Sequence, residues 1–212
     1  MPARTNDEMV QELIAAGDLH NPTLINAFRA VDRADFVLPE QWELAYRNYP
    51  LPIGEGQTIS QPATVALMLE LLSVEVGMKV LEVGAGSGYV AALLAKLVGE
   101  HGMVFALERL PELAEQAKGN LARYGWPQLK LVCGDGSRGY STQAPYDRII
   151  VSAAAAELPD EFKGQLAVGG RLVAPVGGYP QDLVLLERVS GGFREQRFPG
   201  FIFVPLVSES PA

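Results

Sequence analysis

A carboxylate and three glycines directly after a short apolar run are the residues whose types and spacing best suit chemistry. Glu82 stands two residues before Gly84, and Gly86 and Gly88 follow at alternate positions. Residues 79–83 are typical of a buried parallel strand. The apolar residues beyond the glycines recur at helical spacing: Val90, Leu93, Leu94, Leu97 and Val98. Strand, glycine turn and helix open a nucleotide-type βαβ unit, in which a ligand lies against bare backbone near the positive helix end.

The glycine spacing and the carboxylate separate the possible ligands. The dinucleotide fingerprint G-x-G-x-x-G needs its third glycine three residues after the second. Here Gly88 follows Gly86 by two, and Tyr89 takes the last position of the fingerprint. A carboxylate repels a pyrophosphate but attracts an amine or a sulfonium. The pattern E-x-G-x-G-x-G resembles the first motif of class I S-adenosylmethionine methyltransferases, and the alternative is that Glu82 only ends a strand.

Two further carboxylates follow the next predicted strands. Glu108 ends the strand predicted at 103–107, where an acidic residue accepts hydrogen bonds from ribose hydroxyls. NAD enzymes share this feature, so it indicates that the ligand contains a nucleoside but does not identify the cofactor. Asp135 stands between Gly134 and Gly136 after the strand predicted at 129–133. It can reach an adenine amino group, or it can be a turn aspartate.

A long segment without regular periodicity, residues 49–62, precedes a predicted helix. Loops of this length inside compact domains are usually functional. Ser60 stands where the helix N-cap is expected, because Pro62 and the apolar residues after it indicate the helix. A cap role and a catalytic role are compatible, since the hydroxyl can accept a backbone hydrogen bond while donating its own proton.

Composition limits the function classes. The chain has 212 residues and a net charge of -8, which argues against a general electrostatic grip on nucleic acid. No apolar run reaches the roughly 18 residues of a membrane span. The single Cys133 suits a reducing compartment, and the N-terminus lacks the apolar core of a signal peptide, so we expect a cytoplasmic protein. His20 and His101 are too few and too far apart to predict a metal site.

The element pattern predicts one α/β domain, a class I methyltransferase Rossmann-like doubly wound sheet. Residues 1–48 are predicted to form a helical N-terminal cap, 49–72 an active-site loop and helix, and 73–212 the cofactor-binding core. Five βα repeats end with a helix at 160–167 and a strand at 171–176. Two further strands, at 183–186 and 193–206, are joined by a glycine turn and give the mostly parallel sheet an antiparallel C-terminal edge.

From residue 31 to residue 206 the chain resembles the protein-L-isoaspartate (D-aspartate) O-methyltransferase family. The most specific match is 51–62, and 80–89, 134–136, 147–151 and 169–177 support it. The resemblance implies that Ser60 is the active-site serine and that S-adenosylmethionine is the cofactor. It implies a cofactor site formed by Gln57, Thr58, Ile59, Glu82, Gly84, Gly86, Gly88, Glu108, Asp135 and Gly136. It implies that the substrate, an isoaspartyl peptide or protein, contacts Ile53, Ser60, Val204, Pro205 and Leu206.

Two positions depart from the family pattern. Asn48 stands where an aspartate is expected, and Ala63 where tyrosine or histidine is usual. They motivate a second hypothesis, a methyltransferase of the same fold that acts on a different carboxylate or small molecule. A binding module or a nucleotide-dependent oxidoreductase is a distant third. The leading hypothesis fits a site without His, Cys or Lys, because a carboxylate is already ionised at neutral pH and needs no general base.

Overall fold

The computed structural model describes residues 3–207 and contains a seven-stranded sheet in the order β5-β4-β3-β6-β7-β8-β9. The strands from β3 to β7 are parallel, and β8 and β9 join antiparallel, so the predicted antiparallel C-terminal edge is confirmed. The strands of this sheet are β3 (Lys79–Val83), β4 (Met103–Glu108), β5 (Leu129–Cys133), β6 (Tyr146–Val151), β7 (Leu166–Val176), β8 (Gln181–Val189) and β9 (Gly192–Phe201).

Six α-helices accompany the sheet within residues 3–207, and local caps explain where the first two begin. Thr5 accepts a hydrogen bond from the Glu8 N–H, and Asn21 accepts from the Thr23 N–H, just before a proline in the first turn. Both starts agree with the sequence. The helices are α1 (Asn6–Ala16), α2 (Pro22–Ala30), α3 (Pro62–Leu72), α4 (Tyr89–Val98), α5 (Pro111–Ala122) and α6 (Asp160–Gln165).

Alternate residues along the strands face two separate apolar clusters. Val80 belongs to the cluster formed with α1, α2, α3 and α4, while the adjacent Leu81 belongs to the cluster that contains Phe162 of α6. Burial on both faces explains why the parallel strands are apolar nearly throughout. The helical prefix shares its cluster with α3 and α4, which supports the single-domain assignment, although that assignment stays a prediction. No helix in residues 3–207 combines the length and apolar character that crossing a membrane requires.

The segment predicted as a long loop is a β-hairpin, so that prediction was wrong. β1 (Leu51–Gly54) pairs antiparallel with β2 (Gln57–Ile59), and the turn places Glu55 and Gly56 at φ 50° and 68°. Two positive φ values are typical of the turns that join hairpin strands. The side chains of β1 alternate between buried and exposed, which holds one face of the hairpin against the core.

Three predicted boundaries near the C-terminus also differ. Helix α6 ends at Gln165, not at 167, and β7 begins at once. Gly169, at φ 80°, lies inside β7, where the register with β6 shifts; a glycine accommodates such an irregularity. The last strand ends at Phe201, not at 206. Residues 204–206 therefore lie beyond the sheet rather than in its edge strand.

Candidate active site

A cleft that is open to solvent lies at the carboxyl ends of the parallel strands, with about 910 Å³ of empty space when its open part is included. Strand order reverses between β3 and β6, because β3 continues to β4 on one side while β6 pairs on the other. Open α/β sheets bind their ligands at such a switch point. The lining combines the turns after β3, β4, β5 and β6 with the hairpin and the C-terminal segment. It includes Ile53, Gln57, Thr58, Ile59, Ser60, Glu82, Gly84, Gly86, Glu108, Asp135, Gly136, Val204, Pro205 and Leu206.

One predicted cofactor residue, Gly88, is not among the residues that line the cleft. It is the N-cap of α4, and a Cβ on it would lie 3.1 Å from Leu121 Cγ of α5. This glycine allows two helices to approach each other behind the turn. Gly86 does face the cleft, at φ 53°, and a Cβ there would lie 3.1 Å from Ile53 Cδ1 of the hairpin. The glycine turn and the hairpin are therefore direct neighbours.

Glu108 at the end of β4 fixes the backbone around the glycine turn. One carboxylate oxygen accepts a hydrogen bond from the Gly86 N–H at 2.8 Å, and the other accepts from the Leu110 N–H at 2.9 Å. Each oxygen of an ionised carboxylate has a second acceptor direction. Glu108 can therefore hold this turn and still accept hydrogen bonds from two hydroxyls of a ligand.

Glu82 is the most unusual group of the cleft, because its carboxylate is buried without a partner. The residue is 1% exposed, and neither oxygen makes a hydrogen bond within residues 3–207. Burial, with a further contribution from repulsion by Glu108, raises the pKa of Glu82 well above its usual value. Buried polar groups are nearly always hydrogen-bonded. A cationic ligand group in the cleft would supply the missing partner.

The turn after β5 brings a third carboxylate to the cleft. Asp135 Oδ1 accepts a hydrogen bond from the Ser137 N–H at 2.8 Å, as a turn aspartate does. The neighbouring Gly136 admits no side chain, since a Cβ would lie 2.8 Å from Val83 Cγ1. The glycine therefore lets the turn pack closely against the end of β3, beside the Asp135 carboxylate.

Ser60 lies at the cleft directly after β2, but it does not cap α3 as predicted. Pro62 is the first helical residue, so the N-cap is Gln61. The hydroxyl of Ser60 makes no hydrogen bond in the part of the chain that the structure describes. Asn48 takes over the cap role instead, because its Oδ1 accepts a hydrogen bond from the Ala63 N–H at 3.0 Å. The Ser60 hydroxyl is thus available to a ligand.

The C-terminal segment forms a further part of the cleft wall. The Ala154 N–H donates to the Val204 carbonyl at 2.7 Å, and the Leu206 N–H donates to the Ala154 carbonyl at 2.7 Å. These bonds join the segment to the small residues after β6, of which Ser152 and Ala153 also line the cleft. Pro205 lies between the two bonded residues and is exposed.

Sequence reasoning missed two functional candidates, Tyr89 and Arg33. Tyr89 lines the cleft, and its hydroxyl is buried and unpaired within residues 3–207. Its only sequence signal is its position at the end of the glycine pattern. Arg33 lies behind the hairpin and donates to the carbonyl of Ser60 at 2.8 Å. An arginine in a short polar segment indicates a surface residue, so nothing local predicts its burial.

The cleft fits S-adenosylmethionine. The partnerless carboxylate of Glu82 suits the cationic end of this cofactor, and Glu108 retains acceptor capacity for its ribose hydroxyls. Asp135 and Gly136 line the cleft side by side, where the carboxylate suits the adenine amino group. Among residues 3–207 no group of three or more His, Cys, Asp or Glu side chains is arranged to hold a metal ion.

Comparison with known proteins agrees with this geometry. A model of the family described as protein-L-isoaspartate(D-aspartate) O-methyltransferase matches residues 4–211. The protein-L-isoaspartate O-methyltransferase of Methanothrix thermoacetophila is 50% identical over 186 residues, which is 88% of each chain. That of Methanococcus aeolicus is 42% identical over 210 residues, covering 99% of this chain and 97% of its own.

A solved structure shows the same fold with a ligand bound. It is a Plasmodium falciparum chain assigned to protein-L-isoaspartate O-methyltransferase, in complex with S-adenosyl-L-homocysteine. The TM-score is 0.87 at 27% identity, and the match covers 97% of this chain and 99% of that one. With the family match over nearly its whole length, the chain belongs to the protein-L-isoaspartate(D-aspartate) O-methyltransferase family.

Proposed function

We propose that the chain transfers the methyl group of S-adenosylmethionine to the free α-carboxylate of L-isoaspartyl residues, and of D-aspartyl residues, in damaged peptides and proteins. Methylation of this carboxylate initiates repair of the residue. The observation that carries the proposal is that Ser60 and the partnerless Glu82 line one cleft. A hydroxyl free to bind an acceptor anion and a carboxylate free to bind a cationic donor therefore share one space.

The chemistry requires positioning more than proton transfer. The acceptor carboxylate is ionised at neutral pH, so no general base is needed. S-adenosylmethionine, when bound, supplies an electrophilic methyl group and its own leaving group. Alignment of the reacting atoms can lower the barrier by roughly 7–11 kcal/mol. The residues of the cleft are therefore assigned to binding, orientation and exclusion of water.

Each wall of the cleft has its own task in this proposal. Ser60 donates a hydrogen bond from its hydroxyl to a carboxylate oxygen of the substrate. It stands two residues before the first residue of α3, where the helix dipole also favours an anion. Gln57, Thr58 and Ile59 line the cleft and contact the cofactor. Ile53 and residues 204–206 hold the substrate backbone on either side.

The two departures from the family pattern do not favour a different substrate. Asn48 uses its side-chain oxygen to accept from the Ala63 N–H, which a carboxylate oxygen would also do. The bond involves only the backbone of Ala63, so it is independent of the side chain there. The hydrogen bond between residue 48 and the first turn of α3 therefore forms with Asn48 and Ala63 in place.

A matched pair of peptides tests the function. One peptide carries isoaspartate and the other ordinary aspartate, so they share charge and composition. In the isopeptide the chain continues through the side-chain carbonyl, and the free α-carboxylate is one methylene shorter from the backbone. We expect methylation of the isopeptide to be faster on the order of 10²-fold or more, because misplacement of an oxygen by about 1 Å costs roughly that factor. Transfer of labelled methyl from the cofactor measures both rates.

Each outcome of this assay has a clear meaning. Equal labelling of the two peptides would reject isoaspartate as the recognised group. Labelling of neither, with S-adenosyl-L-homocysteine still bound in calorimetry, would instead support a methyltransferase with a different carboxylate or small-molecule substrate. Binding of NAD with no response to either methionine nucleoside would reject the methyltransferase assignment altogether. Nucleic acid is not an expected partner, and a cytoplasmic location stays a prediction from the sequence.

Asp135→Asn is expected to weaken binding of S-adenosyl-L-homocysteine on the order of tenfold or more, since a hydrogen bond to a charged group is worth about 1.5–3 kcal/mol. The amide retains an oxygen for the Ser137 N–H but replaces the other acceptor with a donor. Calorimetry with the product and with the product lacking the adenine amino group measures the effect. An equal loss for both ligands would show that Asp135 does not contact that amino group.

A further inference from the structure

Arg33 is a buried cation that takes no direct part in the proposed methyl transfer. It begins the short 3-10 turn Arg33–Phe36 and is 0% exposed. No carboxylate forms an ion pair with it within residues 3–207. The neighbouring Asp32 accepts hydrogen bonds from the Tyr46 hydroxyl and the Ala34 N–H. Burial lowers the pKa of Arg33 to about 10, so the side chain stays charged at neutral pH.

The guanidinium of Arg33 binds three backbone carbonyls, two in the loop before β1 and one directly after β2. Nε donates to Ala45 at 2.8 Å, Nη1 to Ser60 at 2.8 Å and Nη2 to Tyr49 at 3.3 Å. Tyr49 comes just before β1, and Ser60 directly after β2. One side chain therefore holds both ends of the hairpin that forms a wall of the cleft.

The same guanidinium contacts the cofactor side of the cleft. Its central carbon lies 5.6 Å from the ring centroid of Tyr89, within the range of a cation–π contact. Tyr89 is the first residue of α4, directly after the glycine turn. Arg33 thus connects the backbone of Ser60 to the element that carries the glycine turn, and so relates the position of the acceptor to that of the donor.

Stability alone does not explain an arginine at this place. A buried charge without a counter-ion carries a desolvation cost that an apolar side chain of similar volume avoids. The distinctive property of arginine is its planar fork, which presents five N–H groups in fixed directions. Three carbonyls, two before β1 and one directly after β2, use that fork, whereas a lysine ammonium is a point charge on a flexible stem.

We propose that Arg33 is a positioning residue, whose guanidinium fixes both ends of the hairpin and thereby the direction of the Ser60 side chain in the cleft. The inference rests on the proposed role of Ser60. It does not require contact between Arg33 and either ligand. Arg33 acts on the reaction through the Ser60 backbone, so its effect on turnover disappears when the Ser60 hydroxyl is absent.

A double-mutant cycle with Arg33→Lys and Ser60→Ala tests this dependence. Arg33→Lys retains the charge but loses the fork, and we expect it to lower kcat on the order of tenfold or more through misplacement of the hydroxyl. In the Ser60→Ala background the same change should lower kcat by less than about threefold, because residues that act as a unit are not additive. Arg29→Lys is the matched control, since Arg29 of α2 is exposed and pairs with the exposed Asp7 of α1.

Hydrogen exchange gives a second measurement that does not depend on activity. In Arg33→Lys the peptide covering 49–62 should exchange faster than in the wild type, while α1 exchanges unchanged. Calorimetry with S-adenosyl-L-homocysteine confirms that each variant is folded and binds the cofactor product. If Arg33→Lys does not fold, Arg33→Met takes its place in the cycle, because methionine removes the buried charge and retains much of the volume.

The outcomes separate this inference from the proposed function. Wild-type turnover in Arg33→Lys, or losses that multiply in the double variant, would overturn the positioning role and leave the role of Ser60 intact. Wild-type turnover in Ser60→Ala would overturn the role of Ser60 itself, and the inference with it. Failure of both Arg33 variants to fold would assign this residue to stability and overturn the inference alone.

Discussion

Glu82→Gln is expected to weaken binding of S-adenosylmethionine by roughly 10²-fold or more at neutral pH while making the ligand-free protein harder to unfold. The carboxylate is buried without a hydrogen-bond partner in the described chain, and Glu108 repels it. A bound cation compensates this charge, and truncating one partner of a buried pair costs about 3–5 kcal/mol. Without ligand the same carboxylate destabilises the folded protein, so replacing it with a neutral amide raises the free energy of unfolding.

The sign of the pH dependence follows from the raised pKa of Glu82. Its value in the folded state lies above that of the unfolded chain, because burial and repulsion from Glu108 disfavour the charged form. The stability associated with this group is therefore fully present below the unfolded pKa, and it is lost as pH rises through the folded pKa. The Glu82→Gln variant does not lose this stability at high pH. The difference between its free energy of unfolding and that of the wild type therefore grows with pH.

Cofactor affinity has the opposite pH dependence. A cationic ligand prefers the ionised carboxylate, so wild-type affinity rises with pH until Glu82 is ionised in the free protein, and binding below that point releases a proton. In Glu82→Gln this slope is absent. Calorimetry in buffers of different ionisation enthalpy measures this proton release. A range of about pH 5 to 7 lies below the pKa of the ligand's own α-amino group, which therefore does not contribute.

A matched control separates the cleft from general effects of charge. Glu100 is exposed in the turn after α4, so Glu100→Gln removes the same charge without touching the cleft. We expect it to leave both affinity and the unfolding midpoint near wild-type values. Unchanged cofactor affinity in Glu82→Gln would show that the cationic end of the ligand is bound elsewhere.

The parts of the fold that the sequence predicts are those with local causes. The strand, glycine turn and helix around Glu82 follow from apolar runs and glycines that are contiguous in the chain. The starts of α1 and α2 follow from Thr5 and Asn21, each a few residues from the N–H groups that it caps. Side-chain periodicity and caps act over one or two turns, so a single sequence contains them.

The sequence does not predict the hairpin because its strands are short and the residue that holds it is distant in the chain. β1 and β2 have four and three residues, and the pairing is irregular between Pro52 and Gly54. Glu55 stands at a positive φ of 50°, where Asn, Asp or Gly is more typical. The hairpin is held by tertiary bonds from Arg33, which periodicity does not reveal.

The cap of α3 shows the same limit at the candidate site. Ser60 matches the usual cap residue types, yet Pro62 at the first helical position makes Gln61 the N-cap. The side chain that accepts from the helix N–H belongs to Asn48, fifteen residues away from Ala63 in the chain. Residue identities therefore indicated which groups meet at the cleft, while only the three-dimensional structure shows which of them remain available to a ligand.

Ser60→Ala is expected to lower kcat for the isoaspartyl peptide on the order of 10²-fold, the cost of misplacing a reacting oxygen by about 1 Å, because the hydroxyl orients the acceptor carboxylate. The donor is preorganised because the Ser60 carbonyl is bound by Arg33 and the next residue is the N-cap of α3. Affinity for S-adenosyl-L-homocysteine should stay near the wild-type value. Steady-state transfer of labelled methyl and calorimetry with the product measure the two quantities.

The stability of Ser60→Ala distinguishes this role from that of a cap. Loss of a serine cap costs about 0.5–2 kcal/mol. Because Gln61 is the N-cap and Asn48 accepts from Ala63, we expect the unfolding free energy to change by less than about 0.5 kcal/mol, as for an ordinary surface substitution. Ser190→Ala, in the exposed turn between β8 and β9, is the control for removing a hydroxyl. A destabilised variant with normal turnover would show that Ser60 acts as a helix cap. Normal stability with reduced turnover would show that its hydroxyl aligns the acceptor carboxylate directly.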